Sequence, residues 1–459
     1  MIYDVAIIGA GVVGTALART LSMSQLNIVV LDSANDVGSG TSKANTAILH
    51  TGFDGKPGSL EAQLVRDGYH LLKEYARAAN IWFEETGAVL VAWSDDEVAA
   101  LPELKAKAER NEYHHCEIIS SDRVYELVPE LGPGALAGLT VPDESIIDPW
   151  SPTLAFAREA KNNGARLLLN TAVTGVEIGA ESTTLVTNRE PVTATWVVNA
   201  AGLGSDTIDT LFGYDRFTVT PRRGELLVFD KLSAHMVPRI VLPVPTALGK
   251  GVLVSPTAFG NVMLGPTAED LDDKSATNTS ETGFAYLREK GLHLMPQLFD
   301  EEVTSSYAGL RASTEHSDYL LEADAEQRYF LIGGIRSTGL TSCLAIANYV
   351  AEALARLGLY QTDRPDPAPT PLMPPLGERG SRPYQSSDKI ADDACYGEIV
   401  CFCERVTAGE IRDSLASSIP PVDRAGLSRR TRATNGRCQG FYCGAAIEKI
   451  LAAPKEETS

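Results

Sequence analysis

Residues Tyr3 to Ile8 form an apolar run that breaks into Gly9-x-Gly11-x-x-Gly14, continues as a helical pattern to about Ser24, and leads to a second apolar strand, Asn27 to Leu31, ending at Asp32. No other stretch restricts the fold as tightly, because strand, glycine turn, helix and acid must follow in this order to build a dinucleotide-binding βαβ unit. Gly9 permits the tight turn, Gly11 lets the backbone approach a pyrophosphate, and Gly14 allows close helix packing. The helix start offers free N–H groups to anionic oxygen, and Asp32 is placed to accept from a ribose hydroxyl. Gly9, Gly11, Val12, Val13, Gly14, Asp32 and Ser33 are therefore the expected nucleotide contacts.

The fingerprint alone does not choose between NAD and FAD. No second strand–GxGxxG–helix unit follows, so reducing equivalents are expected from an organic substrate rather than a nicotinamide. No cysteine precedes Cys116, which removes a redox disulfide beside the nucleotide. With 459 residues, 44% of them hydrophobic and 22% charged, the chain can bury the cores of two or three domains. A net charge of −20 and a pI near 4.8 oppose nucleic acid and anionic membrane surfaces, so neither is an expected partner. No apolar run is long enough for a transmembrane segment, and Asp4, with no basic residue before it, argues against a signal peptide. The expected location is cytoplasmic, with thiols free or metal-bound.

The segment Gly40-Thr-Ser-Lys-Ala-Asn-Thr-Ala-Ile-Leu-His50-Thr-Gly-Phe, followed by Pro57-Gly-Ser-Leu, resembles the flavin-loop segment of the D-amino-acid-oxidase-like superfamily. It is most similar to the branch holding FAD-dependent glycerol-3-phosphate and L-2-hydroxyglutarate dehydrogenases. Val197-Val-Asn-Ala-Ala-Gly202 resembles the second FAD-contacting turn of that family, Tyr307-Ala-Gly-Leu-Arg311 its substrate-side arginine segment, and Gly333-Gly-Ile-Arg-Ser-Thr-Gly339-Leu-Thr341 its last flavin loop. The resemblance spans roughly residues 1 to 360. It implies bound FAD, with Thr41, Ser42, Asn45, Ala200 and Gly202 among its contacts, joined by Gly334, Gly339, Leu340 and Thr341. It also makes His50 the first choice for the catalytic base. An anionic substrate needs donors in fork geometry, and Arg223, Arg311 and Arg336 occupy motif-bearing positions, with Arg222 as a substitute for Arg223; Arg311 is also an expected catalytic residue.

Strand-like alternation dominates from about 215 to 270, in the segments Phe217 to Thr220, Glu225 to Phe229, Ile240 to Val244, Gly251 to Ser255 and Asn261 to Leu264. Residues 61 to 80 and 151 to 163 read as amphipathic helices. The expected fold is α/β: a Rossmann-like FAD-binding domain (about 1–80, 145–212 and 305–360) with an inserted antiparallel-sheet substrate domain (about 81–144 and 213–304). Seven of the chain's 25 prolines lie between Pro365 and Pro383. Residues 361–394 are accordingly expected to be a stiff linker tethering a separate, mainly helical C-terminal module, residues 395–459.

That module carries Cys401-x-Cys403 and Cys438-xxxx-Cys443. Four thiolates suit either zinc or an iron–sulfur cluster, but a C-x-C pair is atypical of zinc loops, while cluster ligation tolerates varied spacings. The set resembles the bacterioferritin-associated-ferredoxin-like [2Fe-2S] domain fused to several flavin dehydrogenases, including the anaerobic glycerol-3-phosphate dehydrogenase large subunit. Arg429, Arg430, Arg432 and Arg437 precede Cys438 and are expected to offset the charge of a thiolate-bound cluster, to remain a solvated turn, or to dock an acidic partner. Cys116, Cys343 and Cys395 match no ligand spacing and are expected to be buried free thiols.

These readings converge on an FAD-dependent dehydrogenase of a small anionic alcohol, with sn-glycerol 3-phosphate first. L-2-hydroxyglutarate or another 2-hydroxy acid comes second, and an amine or opine third. Electrons are expected to leave through [2Fe-2S] to a quinone-linked or protein acceptor, with any membrane association peripheral and through a partner. The contrasting expectation is an oxygen-using oxidase with a zinc-stapled tail.

Overall fold

The computed structural model describes residues 1–245, 251–377 and 380–452. Residues 453–459 of the expected C-terminal module lie outside the described residues.

The first sheet has a parallel core in the order Arg166–Leu168, Ile28–Leu31, Ile2–Ile8, Val192–Asn199 and Tyr329–Gly333. Leu320–Asp324 adds an antiparallel edge, and the hairpin Val173–Ile178/Thr183–Thr187 lies against the first half of Val192–Asn199. Successive residues point to opposite faces. Val5, Ile7, Ile28, Val30 and Val198 pack under the helices Val12–Ser22, Leu60–Ala78, Ser151–Asn162 and Gly339–Arg356. Ile8, Val29, Leu31 and Val197 fill a second core with Phe212 and Tyr329. Both faces are thus covered, as a parallel sheet of apolar strands requires. The helices Leu60–Ala78 and Gly339–Arg356 approach so closely that a Cβ on Gly68 would lie 2.4 Å from the Thr341 carbonyl oxygen.

Among the described residues the second sheet has nine strands, and it is dominated by the long antiparallel pair Thr220–Phe229 and Val303–Ser313. Three findings correct the sequence expectations. Phe217 to Val219 form no strand: Phe217 and Val219 are instead buried in the core beneath the first sheet, and the strand begins at Thr220. Val303–Ser313 belongs to this second sheet, which moves the expected border at 305 to beyond Ser313. The sheet is also mixed, since Ile240–Pro243 runs parallel to Ala88–Val91.

A small third sheet joins Ile48–Leu49, Ser145–Ile147 and Phe83–Glu84. Its antiparallel register, Ile48 opposite Ile146 and Leu49 opposite Ser145, brings His50 alongside Glu144.

Residues 364–376 of the proline-rich segment form neither helix nor strand and are fastened to the body rather than free, while the far end of the expected linker folds into the helix Ser387–Asp392. Arg364 N–H donates to the Met23 carbonyl at 2.7 Å and Met373 N–H to that of Ala79 at 2.8 Å, while the Met373 and Leu376 side chains are buried. The module beyond it packs Cys401, Val406, Ile411, Leu427, Ala433, Cys443 and Ile447 into one core. Helices Ala408–Leu415, Arg424–Thr431 and Gly444–Ala452 build it around the hairpin Ile399–Cys401/Val406–Thr407. It is not a detached unit either. Arg430 and Arg429 pair with Asp36, Lys231 pairs with Glu404, and Arg437 pairs with Asp230 and Glu302.

Gly68→Ala forces a methyl group against backbone that cannot rotate away, so it should destabilise the first domain by about 1–3 kcal/mol. Thermal unfolding checks this: the midpoint should fall, and an unchanged midpoint would show that the two helices have room to separate.

Candidate active site

A cavity of about 1250 Å³ opens where the first sheet's parallel strands end and the second sheet begins. Such a volume exceeds that of an ordinary small-molecule pocket and accommodates a dinucleotide with a substrate beside it. Gly9, Gly11, Val12 and Val13 line it, with Asp32 and Ser33 adjoining. Thr41, Ser42 and Asn45 form another part of the wall, Ala200 and Gly202 a third, and Gly334, Gly339 and Leu340 a fourth. Gly14 and Thr341 lie behind the wall instead. A Cβ on Gly14 would sit 2.0 Å from the Gly9 carbonyl oxygen, and the buried Thr341 hydroxyl accepts from His50 N–H at 3.1 Å.

The turn itself fits a dinucleotide. Gly9 has φ of +114°, and a Cβ there would lie 2.3 Å from the Ala200 carbonyl oxygen, so only glycine lets the backbone pass this close to the neighbouring strand. The Val12 N–H is held by Ser42 Oγ at 2.9 Å, whereas the following first-turn N–H groups have no acceptor within the helix. Asp32 braces the turn, accepting from Ala10 N–H at 2.7 Å and Ala34 N–H at 2.8 Å. Burial raises its pKa above the ordinary carboxylate value, and these two amides oppose the rise.

The arginines separate cleanly. Arg222 and Arg311 face each other across the pair Thr220–Phe229 and Val303–Ser313, and both line the cavity. Arg223 does not, because adjacent strand residues point to opposite faces; it is buried with Glu225, Glu269 and the Asn278 carbonyl. Arg223, an expected substrate contact, thus does not line the cavity, whereas its neighbour Arg222 does. Arg222 is held by Asp270 through two bonds of 2.6 and 2.9 Å, and Arg336, although it lines the cavity, is paired with Glu61. Arg311 is different. Its guanidinium donates only to the Thr267 carbonyl, at 3.3 and 3.4 Å, and no carboxylate is ion-paired with it among the described residues. Burial, with Arg222 beside it, lowers its pKa below the ordinary arginine value, and Asp270 partly opposes this. Arg311 is half-buried at the cavity wall.

His50 also lines the cavity, with Nδ1 3.1 Å from Glu144 Oε2. Glu144 is 1% exposed, and its other oxygen accepts from the Thr51 amide at 2.7 Å and hydroxyl at 2.9 Å. With Nδ1–H donated to this carboxylate, Nε2 carries the free lone pair. Sequence reasoning missed Glu144. Its chain neighbours form no motif, and only the register of the small third sheet reveals the pairing.

In the C-terminal module, the Cys403 thiol contacts Cys438 and the Cys443 thiol contacts Cys401. Gly436 sits so close that a Cβ there would be 2.3 Å from the Cys403 Cβ. Burial would raise the Cys438 pKa, but the amides of Tyr442, Gly440 and Phe441 and the Cys403 thiol outweigh it and bring it below the ordinary value. Amides aimed at sulfur stabilise thiolate ligands of a metal centre. Among the described residues no three His, Cys, Asp or Glu side chains converge as a single ion requires. Four cysteine thiols within range of one another suit the ligand set of a two-iron cluster. Cys116 and Cys343 are buried thiols pushed up to about 12 by burial, as expected, whereas Cys395 is only half-buried. Arg429 and Arg430 are paired with Asp36 of the domain beneath, and Arg432 with Glu404 of the module itself, while Arg437 is paired with Asp230 and Glu302 but remains exposed. Among the described residues no helix is long and apolar enough to cross a membrane.

The FAD dependent oxidoreductase (DAO) family profile matches residues 4–353, and the BFD-like [2Fe-2S] binding domain profile matches residues 399–453. The chain is 34% identical over 455 residues to a glycerol 3-phosphate dehydrogenase of Caloramator mitchellensis, covering 98% of this chain and 94% of that protein. It is 31% identical to a glycerol 3-phosphate oxidase of Mycoplasma pneumoniae, covering 79% and 96%. It is 29% identical to the human mitochondrial L-2-hydroxyglutarate dehydrogenase, covering 58% and 61%. Among solved structures, the dithionite-reduced, FAD-bound L-α-glycerophosphate oxidase of Mycoplasma pneumoniae superposes with a TM-score of 0.76 at 28% identity, over 82% of this chain and 99% of that one.

Cys438→Ser should leave the yellow flavin chromophore in place and reduce bound iron several-fold, measured as iron and acid-labile sulfide per chain; undiminished iron would remove the cysteine quartet as its ligand set. The profile match over most of the chain, the glycine cradle at Gly9 and the full-length likeness to a dehydrogenase agree, and the chain belongs to the DAO family of FAD-dependent oxidoreductases, extended at its C-terminus by a BFD-like [2Fe-2S] domain.

Proposed function

We propose that this protein oxidises sn-glycerol 3-phosphate to dihydroxyacetone phosphate with FAD and passes the electrons out through [2Fe-2S]. The observation that carries the reading is Arg311, a half-buried guanidinium with no ion-paired acid among the described residues, in the same cavity as His50. The end-to-end likeness to a glycerol 3-phosphate dehydrogenase supplies the substrate.

FAD, when bound, supplies the acceptor for the hydride leaving the carbinol carbon. Everything else falls to side chains. Arg311 takes the phosphate, and Arg222, fixed by Asp270, adds a second positive charge to that end of the cavity. His50 Nε2 accepts the hydroxyl proton as the carbonyl forms, while Glu144 holds the ring in the required tautomer and stabilises the imidazolium. Gly9, Gly11, Val12, Val13, Asp32 and Ser33 hold the nucleotide portion, Gly14 supports that turn from behind, and Thr341 fixes the His50 backbone.

Two alternatives have specific support. Arg311 also suits a carboxylate, as in the L-2-hydroxyglutarate dehydrogenase relatives. An oxidase reading has the Mycoplasma enzymes behind it, but the solved oxidase is covered at 99% while part of this chain has no counterpart. A C-terminal cysteine module argues for an external acceptor, quinone-linked or protein, in place of oxygen.

The deciding experiment is anaerobic mixing with glycerol 3-phosphate, L-2-hydroxyglutarate or an amine while following flavin absorbance. Glycerol 3-phosphate alone should bleach the flavin, and bleaching only by another compound would overturn the substrate. Arg311→Gln should lower kcat/KM for glycerol 3-phosphate about 10–100-fold, mainly through KM, because a charge-assisted phosphate contact is lost. Glu144→Gln should lower kcat about 100-fold and displace the pH–rate profile with little change in KM. An unaltered profile would take Glu144 out of the proton transfer.

A further inference from the structure

We infer that the ion pair of Asp36 with Arg430 is a positioning device that seats the cysteine module on the nucleotide loop, so that electrons cross between the two centres within one chain and without domain movement. The inference rests on the function proposed above.

Asp36 is 1% exposed and both its oxygens are committed across the junction. Oδ1 accepts from Arg430 Nη2 at 2.7 Å, and Oδ2 accepts from Arg430 Nη1 and Arg429 Nη2, each at 2.7 Å. This is a two-bond fork with a third donor added, the geometry that fixes orientation as well as distance. Asp36 lies in the loop between two stretches of cavity wall, Asp32–Ala34 and Ser39–Ser42. Arg430 lies on the helix Arg424–Thr431 that leads directly to Cys438. Asn35 adds a bond of 2.7 Å to Asp423, which caps the start of that helix.

A second contact runs beside the first. Arg432 binds Glu404, the neighbour of Cys403, and places its guanidinium 4.0 Å from the Phe259 ring centroid. Phe259 stacks on Trp150 with centroids 5.1 Å apart, and Trp150 Nε1 donates to the Lys43 carbonyl at 3.1 Å, next to Ser42 of the cavity wall. Ser42, Trp150 and Arg430 border one small crevice. A charged route and an aromatic route therefore join the nucleotide loop to the cysteine loops. Buried ion pairs contribute little net stability because desolvation offsets their attraction. What this one supplies is a fixed placement, on which electron transfer between two centres depends steeply.

The electron count requires such a fixed path. Substrate oxidation delivers two electrons together, whereas a [2Fe-2S] centre accepts one, which an external one-electron acceptor must remove before the second follows.

The test uses the holoprotein with Arg430→Gln and, from the other side of the junction, Asp36→Asn, and needs no electron acceptor. After anaerobic mixing with glycerol 3-phosphate, flavin bleaching is followed by absorbance and cluster reduction by electron paramagnetic resonance of rapidly frozen samples. Bleaching should proceed at the wild-type rate with undiminished iron content, while cluster reduction slows about tenfold or more, since Asp36→Asn leaves the buried Arg430 cation without its carboxylate and Arg430→Gln removes the fork, leaving Asp36 only the Arg429 donor across the junction. Amide hydrogen exchange should rise in residues 33–40 and 424–438 in both variants, and Arg430→Lys, which keeps the charge and loses the fork, should restore part of the rate. Cluster reduction at the wild-type rate in whichever of the two variants folds would overturn the inference. Reducing the flavin with light in place of substrate repeats the comparison, so a wrong substrate and a wrong seat give different results.

Discussion

The parallel pairing of Ile2–Ile8 with Val192–Asn199 is the constraint on which the rest of the molecule depends. It ends both strands at the same level, brings Gly9 against the Ala200 carbonyl, and thereby opens the cavity at the carboxyl edge of the sheet. Ligands of open α/β sheets bind at that edge because helix starts and glycine turns leave backbone N–H groups unpaired there. Everything chemical is added to this edge by other elements. The small sheet around Leu49 and Ser145 delivers His50 with Glu144, and the long antiparallel pair delivers Arg222 and Arg311.

Charge is distributed with the same economy. The chain carries a net −20, yet its cavity keeps one half-buried guanidinium with no ion-paired carboxylate among the described residues, and the segment before Cys438 concentrates four arginines. Free cationic charge in an acidic protein is costly to leave unused. At Arg311 it lies on the cavity wall, while at Arg429, Arg430 and Arg437 it is met by acids of the domains beneath.

Much of this was legible in the sequence. The strand–glycine–helix–acid order around Gly9, the helices near residues 61–80 and 151–163, and the cysteine spacing are local patterns, and local patterns report local structure. What escaped was set by long-range register. Arg222 and Arg223 are adjacent in sequence, and only the pleat of the sheet decides which one faces the cavity. Glu144 has no motif around it and acquires its role from a sheet whose strands lie nearly one hundred residues apart. Proline content announced an extended segment after residue 361, but it could not announce the hydrogen bonds of Arg364 and Met373 that fasten it down. The paired acids likewise explain why Arg429, Arg430 and Arg432 are held in place, whereas Arg437 is paired but exposed.

The central claim is that one polypeptide holds two redox centres in electronic contact, filled from the cavity and emptied through the cysteine loops. An anaerobic reductive titration of the holoprotein with glycerol 3-phosphate, followed by absorbance and electron paramagnetic resonance together, tests it most directly. One equivalent of substrate should deliver about two electrons per chain, shared between flavin and [2Fe-2S] centre, so that the reduced-cluster signal rises as the flavin bleaches. Uptake of about two electrons with the cluster still oxidised would contradict it.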